Sequence, residues 1–339
     1  MDLDLLLKKT SRSLYLSARI LPKKLRPAFG IAYLLCRYAD TIADTPLLPL
    51  ERRLFWIAQF PALVLEQPQD KIAQIAREIS GGTENPYEEE LIKNLPLCLA
   101  AYNKIDPTLK TYITEVVHEV CEGMKIDLST FPNRSGAEPV GFVYSGQLRQ
   151  YCRFMGGKPG LFWSKLITHA YTIKTDEKTF YALGEKIGDA LQIVNILRDT
   201  PKDLSFGRCY FPEEELAQKR LCAADLLHPK NDARFEPIKQ AWINWGKQNL
   251  SSAKAYFSAI PKTAVTMRMA VAWPILWTAD NYVKLSKEKD LLNIQKRVKI
   301  SRYVIYFTML LTPFILAINT LFNLWLDHKL RKIANCSDE

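Results

Sequence analysis

Leu183, Ile187, Leu191, Val194 and Leu197 follow one another at steps of four, four, three and three. An α-helix brings such positions onto one face, whereas a strand would turn every second one away. Comparable spacing runs through most of the 339 residues; Gly is scarce (14) and scattered, and no strand–turn rhythm recurs. The chain is therefore read as all-α and long enough to bury a substantial core.

The pattern predicts two helices within 12–45, with a turn at Leu21-Pro22 and Pro27 in the first turn of the second, where its missing N–H costs little. Further helices are expected over 51–65, 70–79, 87–104, 107–126, 144–172, 176–203, 212–226, 233–258 and 262–288. GGTENP (81–86) and STFPNRSGAEP (129–139) carry strong turn residues and read as loops. No break resembles a linker, so residues 1–300 are expected to form a single domain.

Beyond it, Tyr303 to Leu326 contains no charged residue, and 327–339 is a basic tail. That length can cross a bilayer as one helix, or lie as an apolar helix on the core or in the membrane interface. Lys296, Arg297, Lys299 and Arg302 precede the stretch, and Lys329, Arg331 and Lys332 follow it, so the flanks do not orient it. The expectation is contact with membrane lipid, the rest of the chain being cytoplasmic. Seven cysteines, odd in number and never spaced C-x-x-C, argue against a disulfide framework or a zinc site and for a reducing compartment. The net charge of +10 suits anionic partners. The basic residues are scattered and no nucleic-acid motif stands out, so nucleic acid is not among the expected partners.

Two polar faces interrupt the apolar pattern. Tyr33, Arg37, Asp40 and Asp44 share one side of a helix, and Gln192, Asn195, Asp199 and Asp203 share one side of another about 160 residues later. Aspartates at i,i+4 repel when ionised, costing an isolated helix a few tenths of a kcal/mol. A divalent cation would offset this, and Mg²⁺ prefers oxygen ligands completed by phosphate and water. A solvated acidic face with Arg37 as counter-ion is the alternative. Arg198 and Arg208 lie beside the second pair, and an arginine fork suits a diphosphate. Opposed across a helical cavity, the two faces would make an acidic rim.

SRSLYLSARILP, AYLLCRYADTIAD, YCRFMGGKPG and NILRDTPKDLSFGRCYFP, in this order, resemble the squalene/phytoene synthase family over roughly residues 8–300. The resemblance implies an all-α isoprenoid synthase bundle around a central cavity, acting as a monomer that joins two prenyl diphosphates head to head. By motif position it implies Mg²⁺ ligands at Asp40, Asp44, Asp199 and Asp203. Diphosphate contacts would come from Ser11, Arg12, Ser13, Arg37, Arg198 and Arg208, with Gln192 and Asn195 lining the site. Tyr151, Tyr33 and Arg198 are the catalytic candidates. Gly156, Gly157 and Gly160 around Pro159 are expected to bend their helix. Ala43 stands where many squalene synthases have an acid, so one metal ligand would be absent or replaced by water.

EVVHEVCEGMKIDL, DTIAD and the apolar C-terminal stretch resemble squalene synthases, which would take two farnesyl diphosphates and NADPH. No G-x-G-x-x-G occurs, so NADPH would need another site. Lys299 and Arg302 in KRVKISR are candidates for it, and a basic membrane flank explains them equally. Without NADPH the same scaffold would release dehydrosqualene or, from longer substrates, phytoene. A membrane-tethered scaffold without catalysis is the reading from another class; it predicts broken acidic pairs, and all four aspartates are present.

Overall fold

The structure is a computed structural model that describes residues 3–11, 14–83, 85–132, 138–316 and 318–333. It divides into two compact units, Met1–Ser129 and Thr130–Glu339, where the sequence showed no linker; the boundary falls at the start of the STFPNRSGAEP stretch.

The first unit holds α1 (Leu3–Ser11), α2 (Leu14–Ile20), α3 (Arg26–Asp44), α4 (Leu50–Glu66), α5 (Gln69–Ile79), α6 (Pro86–Lys93), α7 (Leu95–Asn103) and α8 (Pro107–Thr130). Pro27 sits in the first turn of α3, and Thr45 in extended backbone ends it. Ile31, Leu34, Leu35, Tyr38 and Ile42 form its buried stripe, and Tyr38 stacks on Phe60 of α4 with centroids 5.4 Å apart. The helix expected over 87–104 is two, because Pro96 has no N–H to offer the carbonyl of Ile92. The Asn94 side chain meets the Glu90 carbonyl at the break, at 2.7 Å.

The second unit contains β1 (Val140–Phe142), α9 (Ser145–Cys152), α10 (Lys158–Ala170), α11 (Glu177–Ser205), β2 (Arg208–Pro212), α12 (Glu213–Gln218), α13 (Asp232–Ser251), α14 (Ala253–Ala259), α15 (Val265–Leu285), α16 (Arg302–Ile315) and α17 (Asn319–Arg331). β1 and β2 pair in parallel, Val140 opposite Arg208, so the helical fold that the sequence predicts also carries one two-stranded sheet, too short to leave a sequence period.

α11 is the axis of this unit, packed by α10, α13 and α15. Its approach to α10 is backbone on backbone. A Cβ added at Gly188 would lie 2.0 Å from the Gly156 carbonyl oxygen, and one at Gly160 would lie 2.3 Å from that of Gly184. The expected bend is a π-helical turn, Arg153–Gly157, between α9 and α10. Its glycines serve the close approach to α11 as much as the turn itself.

The expected helix over 303–326 is not formed. Among the described residues no helix is long and apolar enough to cross a membrane. The stretch divides into α16, which continues past Pro313 to Ile315, and α17; with no N–H at Pro313, the Met309 carbonyl takes the Thr312 hydroxyl at 3.1 Å. Buried Arg268 of α15 then captures the Leu316 carbonyl through Nε (3.2 Å) and Nη2 (2.8 Å). Its Nη1 serves the Phe257 and Ile260 carbonyls. Burial lowers the Arg268 guanidinium to about 10, which leaves it charged at neutral pH.

Candidate functional site

In the first unit, the last two turns of α3 present Asp40 and Asp44. Arg37, one turn earlier, grips Asp40 through Nη1 and Glu88 of α6 through Nη2. Glu88 also accepts from Asn85 Nδ2 (2.9 Å) and, through its other oxygen, from Thr83 (3.0 Å). Burial pulls the Arg37 guanidinium toward neutrality, but Asp40 and Glu88 outweigh it and raise its pKa. Burial likewise pushes Glu88 up, and Arg37, Asn85 and Thr83 together bring it below the usual carboxylate value. Asp44 is exposed. Beside it opens a cavity of about 260 Å³ lined by Thr41, Thr45, Gly82, Thr83, Asn85 and Glu88. Tyr33, two turns before Asp40, donates its hydroxyl to the Thr10 carbonyl at 2.8 Å.

In the second unit, α11 continues through Pro201 to Ser205, so Asp199 and Asp203 remain on one face. Arg198 forks onto Asp199, Nε to Oδ1 at 3.0 Å and Nη2 to Oδ2 at 2.6 Å. Gln192, Asp199 and Asp203 are half-buried and Asn195 is exposed, so the polar row opens to solvent. Arg208 begins β2, whose pairing with β1 fixes its backbone after α11 ends.

Tyr151, the penultimate residue of α9, is buried against Tyr210 of β2, rings stacked at 5.0 Å and its hydroxyl donating to that of Tyr210 at 3.4 Å. Phe142 and Phe131 complete the cluster, with Phe142 5.9 Å from Tyr151 and Phe131 5.2 Å from Tyr210. Two turns of side-chain contact lock the neighbouring π turn: Arg153 forks onto buried Asp189 of α11 (2.7–3.1 Å) and reaches Glu185 at 3.0 Å.

Ser11 is buried at the end of α1 and donates its hydroxyl to the Leu7 carbonyl. Arg12 and Ser13 lie outside the described residues. Lys299 and Arg302 are exposed ahead of and at the start of α16. Sequence reasoning missed Glu88, Tyr210, Arg153 and Asp189. Glu88 is brought to Arg37 by the packing of α6 on α3, which no local period reports, and Tyr210 lies on a strand of five residues. Among the described residues, no three His, Cys, Asp or Glu side chains converge into a closed metal site. A metal held at either pair would draw its other ligands from substrate and water, the habit of Mg²⁺.

The squalene/phytoene synthase family matches residues 7–304, which include both aspartate pairs and Tyr151. The chain belongs to this family. A chloroplastic phytoene synthase from an Oncidium hybrid cultivar is 23% identical over 301 residues, covering 86% of this chain and 62% of the relative. A bifunctional lycopene cyclase/phytoene synthase from Pyrenophora tritici-repentis is 26% identical over 285 residues, covering 83% of this chain and 44% of the relative. This chain thus spans less than two thirds of the length of these relatives. Among solved structures, TcSQS in complex with the ligand E5700 superposes with a TM-score of 0.81 at 17% identity, covering 99% of this chain and 92% of that one. A dehydrosqualene synthase in complex with a ligand gives 0.61 at 19% identity, covering 91% and 93%. At such identities the superpositions establish the fold.

Proposed function

We propose that this protein is a prenyltransferase that condenses two prenyl diphosphates head to head, with farnesyl diphosphate as substrate and squalene as product. The observation that carries the reading is the repeated pairing of an aspartate motif with an arginine, Arg37 on Asp40 and Arg198 on Asp199. Each pair offers oxygen donors only, the set Mg²⁺ favours. Asp40 and Asp44 in one unit, and Asp199 and Asp203 in the other, would hold it. When bound, Mg²⁺ would stabilise the negative charge of a departing diphosphate.

The chain's own groups do the rest in this reading. Arg37, Arg198 and Arg208 fork onto phosphate oxygens once substrate competes for them. Gln192 and Asn195 orient the diphosphate by hydrogen bonds. The faces of Tyr151, Tyr210, Phe131 and Phe142 stabilise the allylic cation left behind, and keep water from it. Tyr151, joined to Tyr210 through their hydroxyls, takes or returns the proton of the coupling step. Reduction to squalene needs hydride from NADPH, for whose phosphates Lys299 and Arg302 are the proposed contacts.

A second reading, release of phytoene or dehydrosqualene without reduction, draws support from the phytoene synthases among the relatives. Product analysis of the purified chain with Mg²⁺ and farnesyl or geranylgeranyl diphosphate, with and without NADPH, separates them. Squalene formed only with NADPH supports the first; dehydrosqualene or phytoene indifferent to NADPH replaces it with the second. No product from either substrate would leave a non-catalytic scaffold.

A further inference from the structure

The π turn Arg153–Gly157 is framed by four charges whose spacing suits that turn and not an α-helical one. Arg153 opens it, and Lys158 follows it with its N–H donated to the Arg153 carbonyl five residues back. The two cations meet Glu185 and Asp189 of α11, which are four apart and share one helical face. Arg153 forks onto Asp189 and sends Nη1 to Glu185, whose other oxygen takes Lys158 Nζ at 3.1 Å. A π turn closes between residues five apart and brings them to one side. In an uninterrupted α-helix, at about 100° per residue, they would stand about 140° apart and could not both face the same two acids.

The glycines suit the same arrangement. A Cβ on Gly157 would lie 2.5 Å from Asp189 Oδ1 and 2.6 Å from Arg153 Cδ, so its absence is the notch that admits the ion pair. A Cβ on Gly156 would lie 2.7 Å from that of Gln192, which sets the turn directly against the first residue of the polar row. Asp189 is 2% exposed, and burial pushes its carboxyl above the ordinary value, against the pull of Arg153. A buried ion pair is a weak source of stability, and its best use is to specify register.

Register matters because of what lies on either side. Tyr151 is two residues before Arg153, and its ring stacks on Tyr210 at 5.0 Å. Gln192 is three residues after Asp189, about one turn along α11. Downstream, α10 is already seated on α11 at Gly160 and Gly184. Slipping the turn by one residue would therefore rotate α9 rather than α10, by about 100°, and swing Tyr151 off its partner.

We propose that Arg153 and Asp189 are positioning residues for the condensation: their fork fixes the π register, which holds Tyr151 in phase with Tyr210 and seats the turn on Gln192. The inference rests on the prenyltransferase reading for its reaction, and on the packing of this unit for its geometry. Neither residue touches substrate in it, so the chemical step suffers on their loss and substrate binding does not.

The test is Mg²⁺-dependent turnover of whichever of farnesyl and geranylgeranyl diphosphate the parent converts. The variants are Arg153→Lys, which keeps the charge and loses the fork, Asp189→Asn, and the two combined. Each single variant is expected to lower kcat about ten- to a hundredfold, the scale of a misplaced reacting group, with KM within about twofold of the parent. The combined variant should fall no further than the weaker single one, because both break one contact. Rates are expressed per folded molecule by circular dichroism; a contact that only stabilises the fold would leave that rate at the parental value. A parental rate per folded molecule, a raised KM at unchanged kcat, or losses that multiply in the combined variant each overturn the proposal. Amide hydrogen exchange over 148–158 is the second readout, expected to quicken at least about fivefold in Arg153→Lys while that of α13 is unchanged. A parent inactive on both diphosphates refutes the reading of the aspartates rather than the clamp. Exchange then decides alone, and unchanged protection over 148–158 overturns the clamp as well.

Discussion

α3 and α11 present the same motif, two aspartates four residues apart, but hold it by different means. On α3 the neighbouring guanidinium is shared across elements, Arg37 bridging Asp40 to Glu88 of α6. On α11 the guanidinium comes from the adjacent residue, and Arg198 forks onto Asp199 alone among its described ion pairs. The supporting packing differs in the opposite sense. Gly30 of α3 has only a leucine methyl near where a Cβ would stand, at 3.4 Å, whereas Gly188 of α11 lies against the backbone of Gly156. The first pair therefore depends on a tertiary charge contact, and the second on a helix held rigid by backbone packing.

The largest contrast is expected in stability. Gly188→Ala would push a methyl into a carbonyl oxygen and should cost about 2–4 kcal/mol by chemical unfolding. Gly30→Ala should be neutral or stabilising by up to about 1 kcal/mol, since alanine is the better helix former. If both cost the same, the asymmetry between the two helices is wrong.

Lysine substitutions sharpen the comparison next. A lysine cannot fork, so Arg37→Lys and Arg198→Lys should each raise KM for prenyl diphosphate by about tenfold, roughly one lost charge-assisted hydrogen bond. Only Arg37→Lys should also lower unfolding stability, by about 1–2 kcal/mol, because only Arg37 ties two helices together. Arg198→Lys should remain within about 0.5 kcal/mol of the parent.

The smallest effect is one of pH. Glu88 has a folded pKa below its ordinary 4.5, held there by Arg37, Asn85 and Thr83 against burial. Its stabilising contribution is therefore complete above the unfolded value and is lost as pH falls through the lower folded value. Glu88→Gln should flatten the acid limb of the stability curve below about pH 4.5 and leave its slope near neutrality unchanged. An acid limb as steep as the parent's would show that Glu88 is not coupled to Arg37 in solution.

The sequence made legible what repeats locally. The three- and four-residue period places α4, α5 and α11 within two residues of their observed ends, and both aspartate pairs lie on single helical faces. What depends on distant contacts was not legible. Glu88 reaches Arg37 only because α6 packs on α3 some fifty residues after it, and β1 with β2 comprises eight residues held by one another. The C-terminal stretch shows the limit best. Its uncharged run implied a single helix spanning or embedded in a membrane, but Thr312 and Asn319 are turned toward Trp273 and Arg268, residues some forty and fifty positions earlier. Composition recorded how apolar the stretch is, and only tertiary structure revealed which way the polar atoms point.

The central claim is that Asp40 and Asp199, one in each unit, both serve a Mg²⁺-dependent prenyl diphosphate reaction. Its most direct test is the Mg²⁺-dependent turnover of farnesyl diphosphate by Asp40→Asn and by Asp199→Asn, alongside the parent at matched helicity. Each substitution is expected to lower kcat/KM by at least about a hundredfold, the scale of losing charge stabilisation of a leaving diphosphate. Near-parental activity in either variant, with Mg²⁺ dependence intact, would contradict the account.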